Sequence, residues 1–128
     1  MRTVATALFL LPLGTSFALT DPASECNGSN QIEIGACVTD TLQRVDQTVA
    51  LYLGFAMSSA RDLDTVTQRQ VAARALDAAQ TSWETFRDTH CDFVGATFGG
   101  GSGTGIAIDS CRIELGRDRA RELMRFSQ

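Results

Sequence analysis

The chain has 128 residues, of which 44% are hydrophobic and 20% are charged, and its formal net charge is −4. This length suits a single domain with a modest core. The negative charge argues against a nucleic-acid-binding protein and against a protein held on anionic membranes, since both need a basic face, but it is compatible with a strongly basic partner.

Residues 1–18 have the pattern of a secretory signal peptide. Arg2 supplies the positive start, residues 4–13 are apolar, and Ser16-Phe17-Ala18 matches a small-x-small cleavage site. The apolar segment is far shorter than the roughly 20 residues that span a bilayer. We therefore expect cleavage after Ala18 and a periplasmic or secreted domain of residues 19–128 with no stable membrane insertion.

Two long helices are predicted next. Apolar residues recur at steps of three and four over residues 31–60, with Tyr52 on the inward stripe. The polar residues 62–65 interrupt this pattern, and Thr65 with Gln68 then matches a capping box. The second helix is expected to cover residues 66–90, with Val66, Trp83 and Phe86 facing inward.

A glycine-rich segment and a third helix complete the chain. Residues 98–105 contain five glycines and predict a mobile loop. A helix over residues 109–126 follows, capped by Asp109 or Ser110, with Phe126 inward and Gly116 as a point where it can split. The predicted fold is a small all-α domain, in which a third helix packs on a long antiparallel hairpin.

The four cysteines, Cys26, Cys37, Cys91 and Cys111, predict two disulfides in an exported domain. A zinc site is disfavoured because no Cys-x-x-Cys pair exists and the chain has one histidine. A hairpin that turns near residues 61–64 places Cys37 level with Cys91, which favours the pairs Cys37–Cys91 and Cys26–Cys111. The nearest rival is Cys26–Cys91 with Cys37–Cys111, and the sequence leaves all three connectivities open.

The tract from Trp83 to Cys91 is the strongest local signal. In the structural interpretation, Trp83 and Phe86 supply buried apolar area and Arg87 pairs with Asp46 of the first helix. In the functional interpretation, Arg87 or Asp88 belongs to a binding surface.

The residues of this chain do not complete a catalytic set. His90 and Cys91 point in different directions on a helix, and His90 is expected near that helix's end. No Ser-His-Asp set is supported either, so we expect neither an enzyme nor a cofactor.

The glycine-rich segment has two interpretations of its own. It lacks the Gly-Lys-Ser/Thr ending and the preceding strand of a phosphate-binding loop. It is therefore either a plain connector or a protruding loop that enters a partner's cleft, where Ser102 and Thr104 can donate hydrogen bonds.

The mature chain resembles the LprI-type lysozyme inhibitor family of exported bacterial proteins. The resemblance rests on the following residues: Cys26 and Cys37 with ten residues between them, Asp46, Leu51, Tyr52, Ala79, Gln80, Trp83, Phe86-Arg87-Asp88, Cys91, the glycine-rich turn, Cys111 and residues 119–123. The chain departs from the family pattern in lacking an Asn beside Leu51 and in having Leu115-Gly116 where Leu-Thr is common.

This resemblance implies a helical, disulfide-bonded inhibitor of lysozyme. We expect a monomer that covers the muramidase cleft, with Asp88, Asp92, Ser102 and Thr104 as contacts. An acidic domain suits this function because animal lysozymes are usually basic. The alternative hypothesis is a non-catalytic structural or interaction module of the cell envelope that has no lysozyme target.

Overall fold

A computed structural model describes residues 21–127, which form three helices. They are α1 (Gln31–Thr67), α2 (Ala72–Ala96) and α3 (Thr104–Met124). α1 and α2 form an antiparallel hairpin, while α3 runs parallel to α1 and makes its most extensive contact with it. The predicted all-α fold is confirmed, and the predicted signal peptide lies outside the described residues.

The first helix begins with a reciprocal cap. The side chain of Asn30 accepts hydrogen bonds from the backbone N–H groups of Ile32 and Glu33, both at 3.0 Å. The Glu33 carboxylate in turn accepts from the N–H and the hydroxyl of Ser29, both at 2.8 Å. These bonds satisfy donors that a helix start leaves free, so the start of α1 is fixed by its own sequence.

The hairpin turns later than predicted. α1 continues through residues 62–65 to Thr67, and the connection contains Gln68 and Gln70 with positive φ values of 58° and 48°. The expected capping box at Thr65 is therefore wrong, and Val66 is exposed.

The second helix is capped by a residue of the first. The Asp64 carboxylate accepts hydrogen bonds from the N–H groups of Val71, Ala72 and Ala73 at 2.8–3.0 Å. The bonds from Ala73 and Ala72 hold the pKa of Asp64 below its ordinary value of 3.8. This cap joins residues of two helices, so it holds the hairpin together as well as starting α2.

The glycine-rich connection is shorter than predicted. It covers residues 97–103, where backbone hydrogen bonds form successive turns and Gly99 and Gly100 take positive φ. α3 begins at Thr104, so neither Asp109 nor Ser110 caps it. The helix also passes Gly116 without a break, and this glycine lies where α3 packs closely against Val45 of α1.

Two apolar clusters form the core. One contains Val49, Ala56, Ala120 and Leu123, with Trp83 packed against it. Tyr52 also packs there, as predicted. The other cluster contains Cys26, Val38 and Ile113.

Two aromatic residues do not lie where the helical stripes placed them. Phe86 and Phe126 are both exposed rather than inward. Phe126 follows the end of α3, so the helical periodicity that predicted its position no longer applies there.

The disulfides are Cys26–Cys37 and Cys91–Cys111, so the preferred pairing of Cys37 with Cys91 and of Cys26 with Cys111 is wrong. The rival pairing is wrong as well. The first bond ties the N-terminal arm to α1, and the second joins the antiparallel helices α2 and α3.

The disulfide prediction failed because the turn between α1 and α2 lies later in the sequence than expected. Asp46 of α1 contacts Arg87 of α2, so position 37, nine residues earlier, is level with position 96. Cys91 is then five residues from that level, a shift of about 7.5 Å at 1.5 Å per residue.

Candidate partner-binding surface

The charges of the protein are segregated along the helix bundle. We call residues 21–43 and 88–115 the acidic end, since contacts such as Thr39 with Asp109 and the Cys91–Cys111 bond bring these segments together. The acidic end contains eight carboxylates and one arginine, a formal charge of −7. The remaining described residues, 44–87 and 116–127, contain seven carboxylates and nine arginines, a charge of +2. The net charge of −5 for residues 21–127 is therefore distributed very unevenly between the two ends of the bundle.

The one arginine of the acidic end is already paired. Arg112 of α3 lies 3.4 Å from the Asp88 carboxylate and 3.7 Å from that of Asp92, both on α2. Both aspartates are more than half exposed. The predicted contacts Asp88 and Asp92 therefore lie together on one flank of α2, where Arg112 offsets part of their charge.

The predicted contacts in the glycine-rich segment are not equivalent. Ser102 is exposed in the turn between α2 and α3. Thr104 is the first residue of α3, and its hydroxyl is buried without a hydrogen-bond partner among the described residues. Ser102 is therefore available to a partner, whereas the Thr104 hydroxyl is not.

The connecting turn also offers backbone donors. Within residues 21–127, the N–H groups of Gly100 and Ser102 find no acceptor in the chain, although Gly99 and Gly101 do. Both residues are exposed. Together with the Ser102 hydroxyl, these groups give the turn a small set of free hydrogen-bond donors beside many carboxylates.

Exposed aromatic side chains lie beside this turn. On α2, Phe86 stacks on His90 with ring centres 5.3 Å apart, and Phe93 lies 6.4 Å from His90. Phe93 is 64% exposed and Phe98 is 54% exposed. Large aromatic groups are enriched at protein interfaces, so this stripe is a candidate contact surface.

A groove of about 450 Å³ lies next to the aromatic stripe. Its apolar walls include Ile34 of α1, Val94 of α2 and Ile106 of α3, and Phe98 and His90 also line it. Two carboxylates, Asp21 of the arm and Glu114 of α3, stand among these lining residues. The sequence gives no sign of this groove, because its walls come from five segments that only the tertiary structure brings together.

The tract around Trp83 serves the fold. Arg87 pairs with Asp46 at 2.7 Å, which confirms that part of the structural interpretation, although Phe86 is exposed. The Arg87 guanidinium lies 4.9 Å from the Trp83 ring centre. Arg119 of α3 lies 5.7 Å from the same ring and donates to the buried Gln80 at 3.0 Å. These contacts tie all three helices around one tryptophan.

A second interhelical tie holds the N-terminal arm. Arg117 of α3 forms two hydrogen bonds with Glu25 at 2.7 and 2.8 Å, and these bonds lower the pKa of Glu25. Together with the Cys26–Cys37 bond, this pair fixes the arm that supplies Asp21 to the groove.

The described residues show no sign of a metal centre. Residues 21–127 contain no group of three or more His, Cys, Asp and Glu side chains arranged to hold a metal ion. Over the same residues, no helix has the length and apolar character needed to cross a bilayer.

Comparison with known proteins identifies a family whose model matches this chain. The model of the family described as lysozyme inhibitor LprI matches residues 23–123. An uncharacterized protein of Rhizobium meliloti (strain 1021) is 28% identical over 130 residues, which cover 96% of this chain and 94% of that protein. No solved structure matches the chain significantly. The family match includes all three helices and both disulfides.

Proposed function

The protein belongs to the lysozyme inhibitor LprI family, and we propose that it is an exported, non-catalytic protein that binds a lysozyme and blocks its substrate cleft. Family membership is the observation that carries this proposal. The disulfides agree with an extracytoplasmic location, periplasmic or secreted, because such bonds persist in oxidising compartments.

The charge polarity supports a basic partner. A charge of −7 confined to one end gives the domain a directional field, which orients a cationic protein toward that end during approach. A uniform distribution of the same net charge lacks this direction. The acidic end is therefore the surface that we propose faces the lysozyme, with Asp88 and Asp92 on one flank.

The turn between α2 and α3 suits a cleft that contains carboxylates. Glycoside hydrolases of this kind use a pair of Asp or Glu residues at the scissile bond, and a carboxylate of the inhibitor is repelled by them. The free N–H groups of Gly100 and Ser102 and the Ser102 hydroxyl are donors instead. We propose that these donors enter the cleft while the surrounding carboxylates contact the basic rim. Thr104, whose hydroxyl is buried, is not one of these donors.

The direct test is a cell-wall lysis assay. A c-type lysozyme is titrated with the oxidised mature domain, residues 19–128, at low and moderate salt, and g-type and bacterial-type enzymes are tested in parallel. We expect inhibition that saturates at one inhibitor per enzyme and weakens with salt, because exposed charges are screened. The absence of inhibition at a large molar excess for every enzyme type contradicts the proposal and favours an envelope interaction module.

A deletion locates the site. Removal of Gly99 to Gly101 shortens the turn and displaces the donors, whereas the substitutions D62N and D77N alter exposed carboxylates at the other end of the bundle. Loss of inhibition in the deletion variant alone supports the turn as the blocking element. Circular dichroism and thermal unfolding confirm that each variant remains folded.

A further inference from the structure

We propose that the groove at the acidic end binds a lysine or arginine side chain of the basic partner, with its aliphatic stem on the apolar walls and its charge between Asp21 and Glu114. The identity of the partner as a lysozyme rests on the proposed function. The chemistry of the groove does not, because it follows from the residues that line it.

The dimensions of the groove suit this occupant. About 450 Å³ lies within the range of sites that enclose small ligands. Ile34, Val94 and Ile106 provide apolar walls. Lysine and arginine bury their methylene stems along such surfaces while the charged group stays near water, so a long cationic side chain is a better fit than a short or acidic one.

Neither carboxylate of the groove is held in a close ion pair, although Glu114 interacts electrostatically with Arg117 of the same helix. Three of the other six carboxylates of the acidic end are in ion pairs: Asp88 and Asp92 pair with Arg112, and Glu25 pairs with Arg117. Two more, Glu33 and Asp109, accept hydrogen bonds. Among residues 21–127, neither Asp21 nor Glu114 forms a salt bridge within the domain. Both are exposed, on different segments that line one groove. A cation placed there gains two carboxylates without displacing an existing pair.

Aromatic rings add to the fit. His90 and Phe98 also line the groove, and Phe98 is half exposed. A ring face attracts a cation, and arginine stacks on it as well. The groove thus combines apolar walls, aromatic faces and two carboxylates.

Charge-matched double variants test the inference in the complex. D21N/E114Q removes both carboxylates of the groove, and D62N/D77N removes two exposed carboxylates at the other end, so the net charge changes equally. Calorimetry with a c-type lysozyme is expected to show roughly tenfold weaker binding for the first variant and a change below about twofold for the second. Equal affinities of the two variants overturn the inference, whereas the proposed function stands if the wild-type domain inhibits.

A peptide probe tests the groove without lysozyme. The tripeptide Leu-Lys-Leu, blocked at both ends, is titrated into the isotope-labelled domain, with Leu-Glu-Leu as control. We expect saturable shifts of the methyl signals of Ile34, Val94 and Ile106 with the lysine peptide only, and their loss in D21N/E114Q. Such shifts without any lysozyme inhibition refute the proposed function and keep the cation site. Absence of these shifts refutes the cation site, whatever the lysozyme assay shows.

Discussion

A substitution of Gly116 tests the close approach of α3 to α1. A Cβ atom at this position lies 2.5 Å from the Cγ1 atom of Val45, whereas a Cβ at the helical Gly54 meets nothing within 4 Å. Non-bonded carbon atoms are normally about 3.5–4.0 Å apart, so alanine at position 116 requires a movement of about 1 Å. Val45 has a β-branched side chain with few rotamers, so it adjusts poorly.

Alanine substitutions at the two glycines are therefore expected to change the free energy of unfolding in opposite directions. Replacement of a helical glycine by alanine stabilises a helix by about 0.8–1.0 kcal/mol, and Gly54→Ala is expected to show this full gain. Gly116→Ala has the same intrinsic gain, but overpacking in a packed core costs about 1–3 kcal/mol. The expected net result is a loss of roughly 1 kcal/mol, so the two variants differ by about 2 kcal/mol.

Urea unfolding at constant temperature measures both free energies. Val45→Ala removes the Cγ1 atom, so Gly116→Ala is expected to be less destabilising in that background, which a double-mutant cycle detects. If Gly116→Ala stabilises the domain as much as Gly54→Ala does, the two helices are not in close contact at this point and the packing described here is wrong.

Three further variants test the disulfide pairing, the cap of α2 and the polar contacts at Trp83. Replacing Cys91 and Cys111 by serine opens a loop with a sequence separation of 20, which is expected to lower the unfolding free energy by about 3 kcal/mol in chemical denaturation. Asp64→Asn is expected to lower the melting temperature at neutral pH. Since the folded-state pKa of Asp64 lies below 3.8, its ionised cap is fully present above that value and is lost as the pH falls through the lower folded-state pKa. The gap between variant and wild type therefore narrows in acid, and an unchanged gap down to pH 2 contradicts the cap. Arg119→Ala leaves the buried Gln80 Oε1 without its donor and is expected to cost about 2–4 kcal/mol, whereas Arg121→Ala at an exposed position of α3 is expected to change stability by less than about 0.5 kcal/mol in the same unfolding assay.

The helices were predictable wherever one apolar stripe decided the structure. The spacing of apolar residues from position 31 predicted the start of α1, and the opposite charges of Asp46 and Arg87 on the first two helices predicted their pair. The end of α1 was not predictable in this way, because three of the four residues 62–65 are polar and all four are helical. Their helical state depends in part on Asp64, whose carboxylate caps α2.

The turn that follows α1 has no local signal. Positive φ is common for glycine and asparagine, yet here it occurs at Gln68 and Gln70. The connection is imposed by the packing of the two helices and by the cap across them. The turn lies at residues 68–71 rather than 61–64. This displacement shifts every facing pair along the hairpin, and the wrong disulfide pairing followed from that shift.

In the glycine-rich segment, the prediction extended the loop into residues that are helical. Its composition led to an expected loop over residues 98–105, although Thr104 and Gly105 belong to α3. Two glycines of the helices, Gly95 and Gly116, permit close contacts with Ile108 and Val45 respectively. A sequence alone does not distinguish a glycine that ends a helix from one that allows another helix to approach, because the difference lies in the neighbouring element.

The candidate surface illustrates how function depends on the same tertiary information. The net charge of −4 indicates only that a basic partner is acceptable. Once the arm, the start of α1, the end of α2 and the start of α3 are known to meet, seven units of negative charge fall at one end and the rest of the domain becomes slightly positive.

This polarity has a kinetic consequence: the field orients an approaching cationic enzyme before contact, and its effect falls off beyond the Debye length of about 8 Å at physiological salt. Affinity must then come from groups that act at contact, and the acidic end offers exposed aromatic rings, free N–H donors in the turn and two unpaired carboxylates in a groove. Long-range orientation and short-range recognition are thus located at the same end of the bundle, while the contacts around Trp83 keep the three helices in register behind it.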